Sequence, residues 1–256
     1  MSDFGARTGC ALITGGTGGL GSSIARLFAE RGSNVAFTYR SNADDAQALV
    51  EEISSMGQRS LALHADLNDV AQASRALSDA VQEFGGIHTL VHAAGPLVAQ
   101  QYLSTVTPEQ YRDALLGEAA AFFNIVQPAL THLRASNGSI VAVTTAATKR
   151  FPVRDGLSSG AKGAIEQVIA ALAVEEGRYG VRANCVGPGM LSDGMAARLI
   201  ASGELDDQAL DAARANIPLN RFGTAGDIAE LVCFLASNRA AFISGQHISV
   251  DGGYSA

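Results

Sequence analysis

The chain has 256 residues and a formal net charge of -7, a sign that argues against nucleic acid or an anionic membrane as partner, since both select clustered cations. Its composition, 47% hydrophobic with 28 glycines and only 6 prolines, is that of a compact chain with many tight turns. No repeat, linker or low-complexity tract interrupts it, and no apolar run approaches the roughly 18 residues of a membrane span, so residues 1–256 are expected to form one domain.

The amino-terminal stretch MSDFGARTGC has no apolar h-region and predicts no secretion signal. Short apolar runs then follow in order: CALIT (10–14), NVAFTY (34–39), SLALHA (60–65), HTLVHAA (88–94), SIVAVTT (139–145), VRANCV (181–186) and HISV (247–250). They are apolar on both alternations, as strands covered on both faces are. Between them the spacing predicts helices over 20–31 (Leu20, Ile24, Leu27, Phe28), over 42–56 (Leu49, Val50, Ile53) and over 68–84. Alternating strand and helix imply βαβ units. Right-handed crossovers then give an α/β fold, a single doubly wound parallel sheet of Rossmann type with helices on both faces. Cys10, Cys185 and Cys233 lie far apart in apolar runs with no CxxC pairing, which predicts buried thiols in a reducing cytoplasm.

Ligands of such sheets bind at the carboxyl ends of the strands. After the first run comes TGGTGGLG (14–21), opening directly into a helix. Gly15, Gly19 and Gly21 let the chain turn tightly and leave the helix amino terminus bare, so that backbone N–H groups and the helix dipole can meet a pyrophosphate. A merely tight turn is the plain alternative. The second run ends TYRSN. NAD recognition places an acid there for the ribose 2′-hydroxyl, whereas NADP needs a cation for its 2′-phosphate. Arg40 and Ser41 stand at that end with no acid before Asp44, so NADP(H) is favoured over NAD(H), the alternative being Arg40 as an ordinary surface cation.

TGGTGGLG, Asp66 in HADL, HAAG (92–95), the run SIVAVTT, the Ser158-to-Lys162 spacing, VGPG (186–189) and SGQHISVDGGY (244–254), in this order over nearly the whole chain, resemble the short-chain dehydrogenases/reductases. The resemblance implies a nicotinamide cofactor held by Gly15, Thr17, Gly19, Leu20, Gly21, Arg40, Ser41, Asp66, Leu67, Ala93, Ala94, Gly95, Lys162, Pro188 and Gly189. Asp66 then contacts the adenine and the HAAG segment lines the cleft. It also implies hydride exchange with a small carbonyl or alcohol, and a homodimer or homotetramer built on the fourth and fifth helices and the last strand. The stretch AAAFFNIVQPAL (119–130) fits such a buried face, or equally a core helix.

In that family a tyrosine exchanges the substrate proton, and a lysine four residues later lowers its pKa and holds the nicotinamide ribose. A serine thirteen residues before the tyrosine polarises the carbonyl, and an asparagine anchors a water. Carried over position by position, Lys162 is present, Thr145 keeps a hydroxyl at the serine position, Ser158 stands at the tyrosine position and Glu118 at the asparagine position. An aliphatic hydroxyl is a far weaker acid than a phenol. General acid catalysis is typically worth about 10²–10⁴-fold, so ketone reduction is slow unless another group donates. Lys162 is one of only 2 lysines beside 16 arginines, which points to a retained role for its ammonium.

Four substitutes for the tyrosine stand open. Glu118 pairs with Lys162 or delivers a proton itself. Ser158 and Lys162 together hold a thioester carbonyl, in partial similarity to dienoyl-CoA reductases, whose upstream tyrosine is Ala147 here. Tyr102 swings in from the loop after the fourth strand. His92 is the fourth, with His88 on the same strand face but no third ligand for a metal. Past VGPG, Asp193, beside Ser192, replaces a family threonine that touches the nicotinamide. Lys149, Arg150 and Arg154 form the one dense basic group, either a solvated loop or a cradle for an anionic substrate. The leading expectation is an NADP(H)-dependent reductase of a carbonyl (3-oxoacyl-like or other ketone) or of an enoyl compound, with a non-standard proton donor. A dinucleotide-binding sensor or scaffold with little turnover stays open, as does a non-redox lyase or isomerase using Glu118 and Thr145.

Overall fold

The computed structural model describes residues 2–193 and 207–256. Seven strands run through the described residues: β1 (Cys10–Thr14), β2 (Asn34–Tyr39), β3 (Ser60–His64), β4 (Ile87–His92), β5 (Ser139–Val143), β6 (Arg182–Pro188) and β7 (His247–Val250). All pair in parallel, in the order β3-β2-β1-β4-β5-β6-β7. Each of the seven apolar runs is therefore a strand, and the strand order reverses between β1 and β4, where a doubly wound sheet opens a crevice.

The helices are α1 (Gly19–Glu30), α2 (Ala43–Ser55), α3 (Val70–Phe84), α4 (Pro108–Leu115), α5 (Ala121–Ala135), α6 (Gly156–Glu175), α7 (Asp207–Ala215) and α8 (Ala225–Ala236). They cover both faces of the sheet. On one face Leu77 of α3, Phe122 and Ile125 of α5 and Ile165 of α6 share an apolar layer with Leu12, Leu90 and Ile140. On the other, Phe28 of α1, Ile53 of α2 and Val232 of α8 do so with Ile13, Val91 and Val141. Neighbouring strand residues such as Leu12 and Ile13 thus feed opposite layers, which is why these runs are apolar on both alternations. Each large side chain so buried contributes roughly 1.5–3 kcal/mol. The three cysteines are buried and unpaired, and burial pushes the Cys10 thiol up to about 12. Among the described residues no helix is long and apolar enough to cross a membrane.

Two local departures from regular structure bear on the site. First, β4 carries a bulge: Cys10 pairs with Ile87, but Ala11 pairs with Thr89. One extra residue flips the alternation, so His88 and His92 do not share a face, contrary to simple strand spacing. His88 stacks on Phe4 at 5.7 Å and bonds Ser33 and Thr89, whereas His92 lies against Phe122 on the opposite layer. No group of three metal-ligating side chains exists among the described residues. Second, a wider π turn at Leu116–Ala120 joins α4 to α5. Such turns often mark functional sites, and this one carries Glu118, which is 1% exposed.

Candidate active site

The residues singled out from the sequence converge on the carboxyl edge of the sheet. Between β1 and α1, Gly15 takes a left-handed φ of 72°, where a side chain would also meet the Ala94 backbone. A Cβ on Gly21 would collide with the Gly15 carbonyl. These two positions need glycine; Gly19 is simply the first residue of α1. The turn is tied to β2 by Gly15 N–H donating to Thr38 Oγ1 (3.2 Å) and Gly16 N–H to the Thr38 carbonyl (2.8 Å). No side chain caps α1 and no acid lies in its first turn, so its N–H groups face a cradle that fits a pyrophosphate. Thr17 and Leu20 flank it, half-buried.

At the end of β2, Arg40 is exposed, and His64 Nε2 donates to its carbonyl at 2.9 Å. Ser41 bonds Asn42 next to it. At the end of β3, Asp66 Oδ1 accepts from Asn68 N–H and Nδ2, and the carbonyl of buried Leu67 accepts from Asn124 Nδ2 of α5 at 2.9 Å. Beyond β4, the N–H groups of Ala93 and Ala94 both donate to Thr14 Oγ1. Pro188 pairs with Val250 in the sheet, and Gly189 N–H donates to the Val250 carbonyl.

The polar centre of this edge is an ion pair. Lys162 Nζ of α6 lies 3.0 Å from Glu118 Oε2, their side chains 18% and 1% exposed. A Cβ on Gly95 would reach Glu118 Oε1 at 2.8 Å, so the carboxylate sits directly on the end of the HAAG segment. Thr145, half-buried just past β5, accepts Ala147 N–H at 3.1 Å and keeps its own hydroxyl hydrogen. Ser158 lies in the first turn of α6, half-buried.

Several sequence expectations are corrected here. The hydroxyl of Thr14, already accepting two N–H groups, donates to His92 Nδ1 at 3.0 Å, which leaves the His92 proton on Nε2, buried without a hydrogen-bond partner. Burial, then the Lys162 charge, holds this imidazole neutral with a pKa of about 3, and a neutral imidazole is a poor acid. Lys149 Nζ donates to the His247 carbonyl (3.0 Å) and Arg150 to the Tyr254 carbonyl (2.6 Å) while stacking on that ring. These two cations pin the carboxyl-terminal segment and do not form a substrate cradle. Arg154 stacks on Tyr102, its guanidinium carbon 4.9 Å from the ring centroid, and so holds that tyrosine at the rim. Asp193 accepts Ala225 N–H with both oxygens, at 2.8 and 3.0 Å. It is an anion placed at the amino terminus of α8.

Sequence reasoning passed over four participants. Thr14 and Asn124 organise the loops after β4 and β3 by bonds that only the fold reveals. Glu166 links Thr148 Oγ1 (3.0 Å) to His247 Nδ1 (3.4 Å), behind Thr145. Asp155, the residue before α6, was legible: it stands seven positions before Lys162, two helical turns on the same side.

These features define a doubly wound α/β protein with a glycine-lined helix terminus and a half-buried lysine paired to a buried glutamate on one sheet edge. A family model described as Enoyl-(Acyl carrier protein) reductase matches residues 15–255. A versicolorin reductase from Emericella nidulans is 32% identical over 249 residues, covering 95% of this chain and 94% of that one. A 3-oxoacyl-(acyl-carrier-protein) reductase from Staphylococcus epidermidis is 33% identical over 244 residues, covering 95% and 97%. The crystal structure of a short-chain dehydrogenase from Burkholderia cenocepacia in complex with NADP superposes with a TM-score of 0.89 at 30% identity, covering 98% of this chain and 100% of that one. The chain belongs to the short-chain dehydrogenase/reductase family.

Proposed function

We propose that the protein is an NADP(H)-dependent reductase of a small carbonyl compound, a 3-oxoacyl-like or other ketone, or of an enoyl compound, working without the family's tyrosine. The observation that carries this reading is the bare, glycine-lined amino terminus of α1 with exposed Arg40 at the adjoining strand end. The uncapped N–H groups hold the pyrophosphate, Arg40 and Ser41 the 2′-phosphate, and Asp66 the adenine edge. Thr17, Leu20, Leu67, Ala93, Ala94, Gly95, Pro188 and Gly189 line the remainder, and the Lys162 ammonium holds the nicotinamide ribose. Bound reduced nicotinamide supplies a hydride.

Thr145 donates its free hydroxyl hydrogen to the substrate carbonyl oxygen, and Ser158 adds a second, weaker hydrogen bond. Glu118 fixes the ammonium by its 3.0 Å ion pair. A carboxylate paired this closely is a poor proton donor, so its part is positioning. The reductases among the relatives, named for versicolorin and for 3-oxoacyl carrier protein, support a carbonyl substrate. The Ser158 and Glu118 positions depart from the family pattern and make the donor non-standard. A single chain domain, self-associated through its helical faces, completes the reading.

The test is transfer of deuterium from 4-deuterated NADPH to a panel of small ketones, 3-oxoacyl thioesters and enoyl thioesters, read by mass spectrometry. Label in an alcohol or saturated product is expected. Absence of label from every product, with NADPH bound, refutes the reductase reading.

A further inference from the structure

The chain lacks a tyrosine at the family's proton-donating position; of the four substitutes drawn from the sequence, Ser158 is an aliphatic hydroxyl too weak an acid to replace it, and the other three are engaged elsewhere. Glu118 is ion-paired, His92 is neutral and buried, and Tyr102 stacks under Arg154. One carboxyl at this edge is not engaged. Asp155 occupies the position before the first residue of α6 but does not cap the helix with its side chain, and its carboxyl oxygens have no hydrogen-bond partner among the described residues. An aspartate there ordinarily turns back to accept the N–H groups of the first turn. This one does not, although its backbone carbonyl accepts both Ser159 N–H and Ser159 Oγ at 2.9 Å.

Its placement is built rather than incidental. Arg154, just before it, takes a left-handed φ of 73°, which in a residue other than glycine stores strain of about 1–2 kcal/mol. The surrounding structure holds that conformation. Gln101 N–H donates to the Arg154 carbonyl at 3.0 Å, and the Arg154 guanidinium lies over Tyr102. A Cβ on Gly156 would meet Leu103, so the loop after β4 covers the start of α6 and leaves Asp155 half-buried.

Helix geometry then relates three groups. Asp155 and Lys162, at i and i+7, lie within about 20° of one another around α6, and Ser158, at i+3, stands about 40–60° to their side. A helical lysine leans toward the amino terminus, which carries the ammonium over the Ser158 turn toward Asp155.

We propose that Asp155 is the proton donor of this site, delivering its carboxyl proton to the substrate carbonyl oxygen that Thr145 and Ser158 orient. The inference rests on the reductase reading above. In the step, a reduced nicotinamide dinucleotide gives a hydride to the carbonyl carbon, the C=O π pair moves onto oxygen, and that oxygen takes the Asp155 proton. Asp155 is left as a carboxylate, which solvent at the half-exposed rim reprotonates. Burial raises the Asp155 pKa above the usual aspartate value, and Lys162 opposes this, so the carboxyl holds a proton over a wider pH range than an exposed aspartate does. The charged neighbours are Lys162 along the same helix, Glu118 paired to it from the π turn, and Arg154 at the rim.

The test has two arms on the intact protein. Carbon-13 NMR of carboxyl-labelled aspartate, with the Asp155 resonance assigned by its loss in Asp155→Asn, follows titration without turnover. The expected result is an Asp155 midpoint above those of the exposed aspartates, moving further up in Lys162→Met. A midpoint among the exposed aspartates, or one indifferent to Lys162, overturns the assignment. The second arm measures reduction of 2,3-butanedione by NADPH. Asp155→Asn is expected to lose about 10²–10⁴-fold in kcat with NADPH affinity unchanged, Asp155→Glu to recover part of it, and the rate to fall as pH rises through the midpoint seen by NMR. Unchanged kcat in Asp155→Asn overturns Asp155 while leaving the reductase intact. A protein that binds no NADPH overturns the reductase reading itself, and the donor with it.

Discussion

Replacing Lys162 with methionine isolates the energetics of the buried ion pair. The methionine keeps most of the lysine stem and removes only the charge, stranding a Glu118 carboxylate whose side chain is 1% exposed. At the observed 3.0 Å and an effective dielectric constant of about 20, the lost attraction is roughly 5 kcal/mol. Truncating one partner of a buried pair typically costs about 3–5 kcal/mol, because the remaining charge is left uncompensated. Lys162→Met is therefore expected to lower the unfolding free energy in urea at pH 7.5 by about 3 kcal/mol or more. The double variant Glu118→Gln/Lys162→Met removes both charges and should regain most of the loss. A Lys162→Met protein within about 1 kcal/mol of the parent at pH 7.5, a value ordinary for exposed pairs, would refute the burial argument. So would a double variant no more stable than the single one.

Two further outcomes follow from groups away from the centre. Arg182 donates to the carbonyls of Leu235, Ala236, Ser237 and Ile243, satisfying the end of α8. Arg182→Ala should destabilise by about 2–4 kcal/mol and Arg182→Lys by only somewhat less, because an ammonium lacks the planar fork that spans several carbonyls; a Lys variant equal to the parent in thermal unfolding speaks against this. His88 and His92 are both held neutral by burial, with pKa values of about 3 against an ordinary 6.5. The unfolded chain therefore binds protons that the fold excludes. Their stabilising effect is full above pH 6.5 and is lost as pH falls from there toward 3, at up to about 2.7 kcal/mol per pH unit for the two together. Urea midpoints between pH 7.5 and 5 should decline accordingly, and a flat profile contradicts the assignment.

The strands were legible because β1 to β6 feed both apolar layers and so show as continuous runs, while β7 packs Ile248 and Val250 on one layer only; all seven sit where the apolar runs fall. The glycine turn before α1 was legible for a related reason: Gly15 and Gly21 are dictated by backbone conformation and close approach, which are local. The bulge in β4 was not, since pairing across to β1 inserts His88 and separates it from His92. Nor was the π turn that carries Glu118, because a helix-period pattern survives one extra residue. Lys162 and Glu118 were both marked from the sequence, but their closure into a buried pair depends on α6 meeting the segment between α4 and α5. The basic cluster left two readings open because charge alone does not say which carbonyls a cation will find; Lys149 and Arg150 found those of His247 and Tyr254.

The most direct test of the central claim is calorimetric titration of the purified protein and of Arg40→Ala with NADPH and with NADH. The parent is expected to bind NADPH more tightly than NADH. Losing a charge-assisted contact to the 2′-phosphate, about 1.5–3 kcal/mol, should weaken NADPH about 10- to 150-fold in Arg40→Ala and leave NADH unchanged. Equal affinity for the two in the parent contradicts the role of Arg40, and no binding of either contradicts the reductase.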